Sequence, residues 1–251
     1  MDQQPQRTTL APHPVLTEHY ARAEDRVGYI RSLFDRTAGS YDRINAWMSL
    51  NRGEQYRREA MIRAGVQPGQ RLLDCACGTG VMAAHAQDLI GDDGEVIALD
   101  PSLPMLATAA ERGVHHRVAA IAEQLPLPDA SIDVVTMGYA LRHVADLSIA
   151  FAEFARILKP NGRLLILEMV PPTSRSGYLF TKLYLKHLVP TLASLVTRSD
   201  DARRLMRYYW DTVDRCLPPA VVMSALEAAG FIDVQRSVTF SLLTEYNARR
   251  H

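Results

Sequence analysis

No run of 18 apolar residues occurs anywhere in the 251-residue chain, so no membrane-spanning helix is expected. The segment from Met1 to Val15 holds Pro5, Pro12 and Pro14 and lacks the apolar stretch of a signal peptide, so residues 1–20 read as a mobile tail. There is no surplus of one charge: 28 basic and 28 acidic residues leave a formal net charge of zero. That removes the electrostatic basis for a dedicated nucleic-acid binder, and no nucleic-acid partner is expected. Cysteine is scarce. Cys75, Cys77 and Cys216 form an odd set with no disulfide framework, which fits a reducing, cytoplasmic setting. No second Cys/His pair stands at ligand spacing from Cys75-Ala76-Cys77, so no metal is expected there. Repeats and low-complexity tracts are absent as well.

What the chain does have is alternation. Strand patterns at Arg71–Cys75, Val96–Asp100, Val114–Ala119, Ile132–Met137 and Arg163–Met169 flank helix patterns at Val81–Leu89, Leu103–Arg112 and Ala145–Leu158. Strands alternating with helices imply parallel pairing through right-handed crossovers. Turns are expected at 91–94, 126–129 and 159–162. Before this block, Arg22 to Ala64 reads as two or three helices with an apolar stripe of Ile30, Leu33 and Phe34. After it come an apolar, lysine-broken segment at Tyr178–Val196 and a helix opening at Ser199-Asp200-Asp201. Two strands close the chain, near Phe231–Arg236 and Val238–Tyr246.

The most informative stretch is Leu72-Leu73-Asp74-Cys75-Ala76-Cys77-Gly78-Thr79-Gly80, a buried strand end followed by a glycine turn and a helix start. Asp100 follows twenty residues after Gly80, at the end of the next strand. Glycines that let backbone approach a ligand, with a later acid for ribose hydroxyls, make a nucleoside crevice. A dinucleotide site would add a third glycine, but Val81, Met82 and Ala83 follow Gly80. A phosphate-gripping P-loop would add Lys and Ser/Thr, and neither is present. The loop suits a nucleoside without a phosphate chain, of which S-adenosylmethionine is one.

Three blocks make a narrower resemblance. They are Phe34 through Ser49, with the pattern Y-D-x-x-N-x-x-x-S from Tyr41; Ala122-Glu123-Gln124-Leu125-Pro126 to Ala140-Leu141-Arg142; and Arg156 through Glu168. Over about residues 30–170 the chain resembles the ubiquinone/menaquinone biosynthesis C-methyltransferases, within the class I S-adenosylmethionine-dependent enzymes. The resemblance implies an α/β, Rossmann-like fold with a central, mostly parallel seven-stranded sheet, helices on both faces and an N-terminal helical lid. Residues 21–251 then form one domain, with the lid at 21–65, the cofactor-binding core at 70–170 and an acceptor-side helical insertion at 175–215. The chain departs from the family at Gly53, Tyr56, Ile121, His143 and Val170, where the family has His, Trp, a polar residue, Asn and Ser, and in its C-terminal ending.

The implied activity is methyl transfer from S-adenosyl-L-methionine to a lipophilic hydroxylated aromatic or quinol, on carbon. An O- or N-methyltransferase of a small natural product, or a non-catalytic cofactor-binding partner, are the alternatives, since a fold does not fix chemistry. Tyr41, Asp74, Gly78, Thr79, Gly80, Asp100, Pro101, Ile121, Ala122 and Gly138 are expected around the cofactor, with Tyr41 and Asp42 in the lid. Asp74 orients the loop or accepts from the methionine amino group; a helix cap is its plainer role, as for Asp100. Arg142 and His143 are expected as catalytic residues. Arg142, always charged, would hold an oxyanion, and His143 would activate the acceptor hydroxyl. Tyr178–Val196, with Tyr209 and Trp210, is expected as an acceptor wall or homodimer contact, or as a contact with a membrane surface through Lys182, Lys186 and His187.

Overall fold

A computed structural model describes residues 9–48 and 53–251. Its centre is a seven-stranded sheet in the order β3-β2-β1-β4-β5-β7-β6. The strands are β1 (Arg71–Cys75), β2 (Glu95–Leu99), β3 (His116–Val118), β4 (Ile132–Gly138), β5 (Leu158–Met169), β6 (Phe231–Thr239) and β7 (Leu243–Arg250). The first five pair in parallel, and β7 lies antiparallel between β5 and β6. The central strands are apolar in their middles, at Leu72-Leu73, Val96 through Leu99, Val134-Val135 and Leu164 through Leu167, because helices cover both faces of the sheet.

Neighbouring residues of β1 serve opposite layers, as the pleat requires. Leu73 packs with Ile97, Val135, Phe151 and Phe154, the last two from α5 (Leu147–Ile157), and with Val222 and Leu226 from α9 (Pro219–Ala228). Leu72 packs with Met61 from α2 (Gly53–Arg63) and with Ala83 and Ala86 from α3 (Val81–Ile90). A third cluster caps the carboxyl ends of the strands. It joins Ile30 and Leu33 of α1 (Asp25–Met48), Val189 and Ala193 of α7 (Val189–Thr197), and Leu205, Met206, Tyr208 and Trp210 of α8 (Asp200–Asp214). Between β5 and α7 the chain forms α6 (Arg175–Lys182) and one turn of π-helix, Leu183–Leu188.

Several local expectations are corrected. Residues 10–20 are packed rather than loose. The Leu10 carbonyl accepts from the Leu147 amide at 3.0 Å, the Pro12 carbonyl accepts from Leu217 at 2.7 Å, and His13 and Leu16 are buried. Buried apolar and hydrogen-bonded groups outweigh the chain-loosening prolines; residues 1–8 of that tail lie outside the described residues, as does Ser49 of the lid signature. The turn expected at 159–162 sits inside β5 as an irregularity, with Asn161 at φ 62°, because Leu158 already pairs with Ile132. The last hairpin turns at Phe240-Ser241, both with positive φ, so β7 starts later than expected. Neither glycine, proline nor asparagine marks that turn in the sequence.

Candidate functional site

A cavity of about 1040 Å³ opens where β1, β2 and β4 end. Its floor is the glycine loop. Gly78 has φ 54°, and a Cβ placed there would meet nothing within 4 Å, so the backbone is open to an approaching ligand. Gly80 has φ 79° and differs in kind: it does not line the cavity, and a Cβ there would come within 2.7 Å of the Ala109 Cβ in α4 (Leu103–Glu111). It lets the loop pack against α4. Gly138 ends β4 on the cavity wall, and a Cβ there would come within 2.4 Å of the Met82 sulfur.

Two buried acids face the cavity from adjacent strand ends. Asp100 accepts from the Gly78 amide at 2.9 Å and the Ser102 amide at 2.8 Å, so it ties the glycine loop to the start of α4. Burial lifts its pKa to about 6 against those two hydrogen bonds. Asp74 accepts from the Thr136 hydroxyl at 2.9 Å through Oδ1, while its buried Oδ2 has no hydrogen-bond partner. Burial raises its pKa to about 7, against the lowering pull of the Thr136 hydroxyl and the nearby Ala83 amide. A buried, unpartnered carboxylate oxygen is costly unless a ligand donor meets it. Pro101, Ile121 and Ala122 line the same wall, and Ile121 stays half-open at 39% exposure.

Helix α1 lies across this floor. Asp42 accepts from the Thr79 hydroxyl at 2.6 Å and from Arg112 at 2.5 Å, and Arg112 also donates to the Thr79 carbonyl at 3.1 Å. Asp35 accepts from the Ser102 hydroxyl at 2.5 Å. Tyr41 lines the cavity with its ring 5.7 Å from Phe34, edge to face. Asp35 stood in the first resemblance block without a role assigned to it, and Arg112 had no signal in the sequence. Both are surface-type residues whose meaning comes only from the helix they meet.

The two residues expected to be catalytic are adjacent but separate in role. Arg142 is not on the cavity wall. It is 1% exposed, ion-paired to buried Glu168, with its guanidinium 4.3 Å from the Tyr209 ring centroid. The strand-end acid, invisible as a partner in the sequence, claims it. His143 does line the cavity. Its Nδ1 is 3.2 Å from the Tyr208 hydroxyl, its ring stacks on Tyr208, and Phe34 meets it edge-on. Burial first, then Arg142, Arg26 and His13, hold its pKa well below the ordinary 6.5. The imidazole is therefore neutral. Beyond it the cavity is walled by Phe34, Met169, Tyr184, Leu185, Tyr209 and Leu243.

The fold and this loop define a class I S-adenosylmethionine-dependent methyltransferase. A solved methyltransferase of this kind from Aquifex aeolicus superposes with a TM-score of 0.60 at 17% identity, over 84% of this chain and 98% of that one. The same scaffold holds the [4+2]-cyclase SpnF, at TM-score 0.57 and 18% identity over 78% and 80% of the two chains. The family itself follows from sequence: residues 21–246 match the ubiE/COQ5 methyltransferase family, and the chain belongs to it. Among its relatives, the ubiquinone/menaquinone biosynthesis C-methyltransferase UbiE of Edwardsiella ictaluri is 33% identical over 83% of this chain and 85% of its own length. The demethylmenaquinone methyltransferase of a Mycobacterium species, strain KMS, is 33% identical over 87% and 93%. The protein is an enzyme, and its methyl donor is S-adenosylmethionine.

Proposed function

We propose that the enzyme methylates a ring carbon of a lipophilic hydroxylated aromatic of the quinol type, the acceptor class named for its relatives. One observation carries this reading: a single cavity joins the glycine loop and its two acids to a wall of aromatic and aliphatic side chains. The donor supplies a methyl group on sulfonium sulfur, open to in-line attack by an electron-rich carbon. Asp100 holds the ribose hydroxyls, the orphaned Oδ2 of Asp74 receives the ammonium of the methionine part, and Gly78 and Thr79 lie along its chain. Ile121 and Ala122 flank the adenine. Gly138 keeps the wall of β4 thin beside the sulfur. Tyr41 and Asp42 close α1 over the donor and exclude water, which aligns the reactants and protects the reaction.

His143 is the cavity group nearest to the chemistry expected of the acceptor. Its depressed pKa makes it a weak proton acceptor and a good neutral hydrogen-bonding partner for the acceptor hydroxyl. Burial first, and then Arg142, Arg26 and His13, keep the imidazole neutral, while Arg142 itself stays beneath the wall in its ion pair with Glu168.

The test is methyl transfer from donor labelled in the methyl group to a panel of naphthohydroquinones, benzoquinols and simple phenols, with fragmentation of the products. Label on ring carbon of the quinols is the expected result. Label on oxygen would establish the O-methyltransferase reading instead.

A further inference from the structure

Arg57 is a cation in the cavity with no assigned task. It lies on α2 and lines the same cavity as Asp74. Its guanidinium sits over the Tyr139 ring, 4.8 Å from the centroid, a stacking that fixes the plane of the fork. Tyr139 itself follows Gly138 directly and takes φ 60°, so the strand end that thins the wall also presents this platform. Among the described residues no acid reaches Arg57 to form an ion pair, and its side chain makes no hydrogen bond. Most other arginines near the site are engaged: Arg112 with Asp42, Arg142 with Glu168, Arg63 with Glu245. Arg31 also lines the cavity, but it is exposed on α1, on the turn before Phe34. Arg57 is half-buried, and its charge is felt at Asp74 and at Tyr139.

An unpaired carboxylate oxygen and an unpaired guanidinium in one cavity complement a zwitterion. We infer that Arg57 binds the α-carboxylate of the donor's methionine part, opposite the ammonium that meets Asp74. The inference rests on the donor reading above and adds to it a residue outside the glycine loop and outside α1. A guanidinium fork matches a carboxylate in two parallel hydrogen bonds. It would also make α2 sense the amino-acid end of the donor and not the nucleoside.

Three ligands separate the parts of the donor. S-adenosylhomocysteine carries both charges, its decarboxylated analogue keeps only the ammonium, and 5′-methylthioadenosine has neither. Calorimetric binding to the wild type is expected to fall in that order. In Arg57→Ala the affinity for S-adenosylhomocysteine should drop by about tenfold to a hundredfold, the worth of a charge-assisted hydrogen-bonded pair. The decarboxylated analogue and methylthioadenosine should bind Arg57→Ala as they bind the wild type, and Arg57→Lys should recover part of the loss. Equal losses for S-adenosylhomocysteine and its decarboxylated analogue would overturn the assignment, as would no loss at all. Retained methylthioadenosine binding shows that the variant is folded; should Arg57→Ala fail to fold, Arg57→Gln carries the same comparison. A wild type that binds methylthioadenosine but gains nothing from the amino-acid part overturns the Arg57 assignment and leaves the nucleoside reading intact. Failure to bind any of the three overturns the donor reading, and this assignment with it.

Discussion

At the scale of single residues, burial decides what each polar group can do. His143 and Arg142 are sequence neighbours, yet one faces the cavity and the other is locked against Glu168. The pairing with Glu168 depends on a strand 26 residues away, so the sequence showed the two side chains but not their division. The neutral imidazole leads to a specific expectation. A His143→Gln variant retains a hydrogen-bonding amide near the ring's position and takes up no proton at any relevant pH. Its rate of methyl transfer should stay within about tenfold of the wild type, whereas His143→Ala should lose about a hundredfold or more, the range general acid–base and hydrogen-bonding groups supply. Single-turnover rates with a quinol acceptor measure this, and equal losses in the two variants would restore His143 as a base. That Asp74, Gly78, Thr79 and Asp100 come together on one cavity wall was legible beforehand, because the loop is local and Asp100 directly follows the adjacent strand. Arg57 was not, since nothing in a helical Arg-Arg pair distinguishes the one that turns inward.

At the scale of elements, the glycine loop joins β1 to α3 and also packs on α4. The two glycines divide that labour, a distinction the sequence alone did not draw. Gly80→Ala would place its methyl against Ala109, with Val114 at 3.2 Å, in a left-handed backbone conformation. A destabilisation of about 1–3 kcal/mol is expected, read as a lowered midpoint in urea with an unchanged slope. Donor affinity measured on the folded fraction should fall less than stability does, because Gly80 is not on the cavity wall. The chain positions and the parallel pairing of the core strands were readable from their apolar runs and intervening helices, whereas their order in the sheet came only with the structure. The ends were not: β3 shrinks to three residues and β5 reaches back through an irregular turn, since ladder pairing with neighbours sets strand ends. The final hairpin misled for a related reason, as Phe240 and Ser241 turn the chain without the residues that announce turns.

At the scale of the whole molecule, charge and apolar surface are unevenly distributed despite the zero net charge. From Pro171 to Ser199 there is no acidic residue, while Arg175, Lys182, Lys186 and Arg198 are present. Along this segment Leu179, Phe180, Leu183, Leu188, Leu195 and Val196 are exposed, and Phe180, at 72%, also lines the cavity together with Phe240, at 83%. No helix among the described residues is long and apolar enough to cross a membrane. Lys186 lies 3.9 Å from Asp211, and the exposed apolar side chains of the segment are of the kind an anionic bilayer surface would take up. Co-sedimentation with phosphatidylglycerol vesicles is expected for the wild type, falling several-fold in Leu183→Asp/Leu195→Asp and in high salt. A stable dimer in solution, dispersed by the same two substitutions and indifferent to vesicles, would assign the face to a second copy of the chain.

Helix α1 touches both halves of the cavity. Asp42 fastens it to the glycine loop through Thr79 and Asp35 to the start of α4 through Ser102, while Ile30, Leu33 and Phe34 belong to the apolar wall and its supporting cluster. One helical rod thus borders both parts of the cavity. Any free energy by which the donor settles this rod in favour of the acceptor is returned in equal measure by the acceptor to the donor, because linkage is reciprocal. If the methylated and the spent donor settle this rod differently, the acceptor must bind their two complexes with affinities that differ by the same factor.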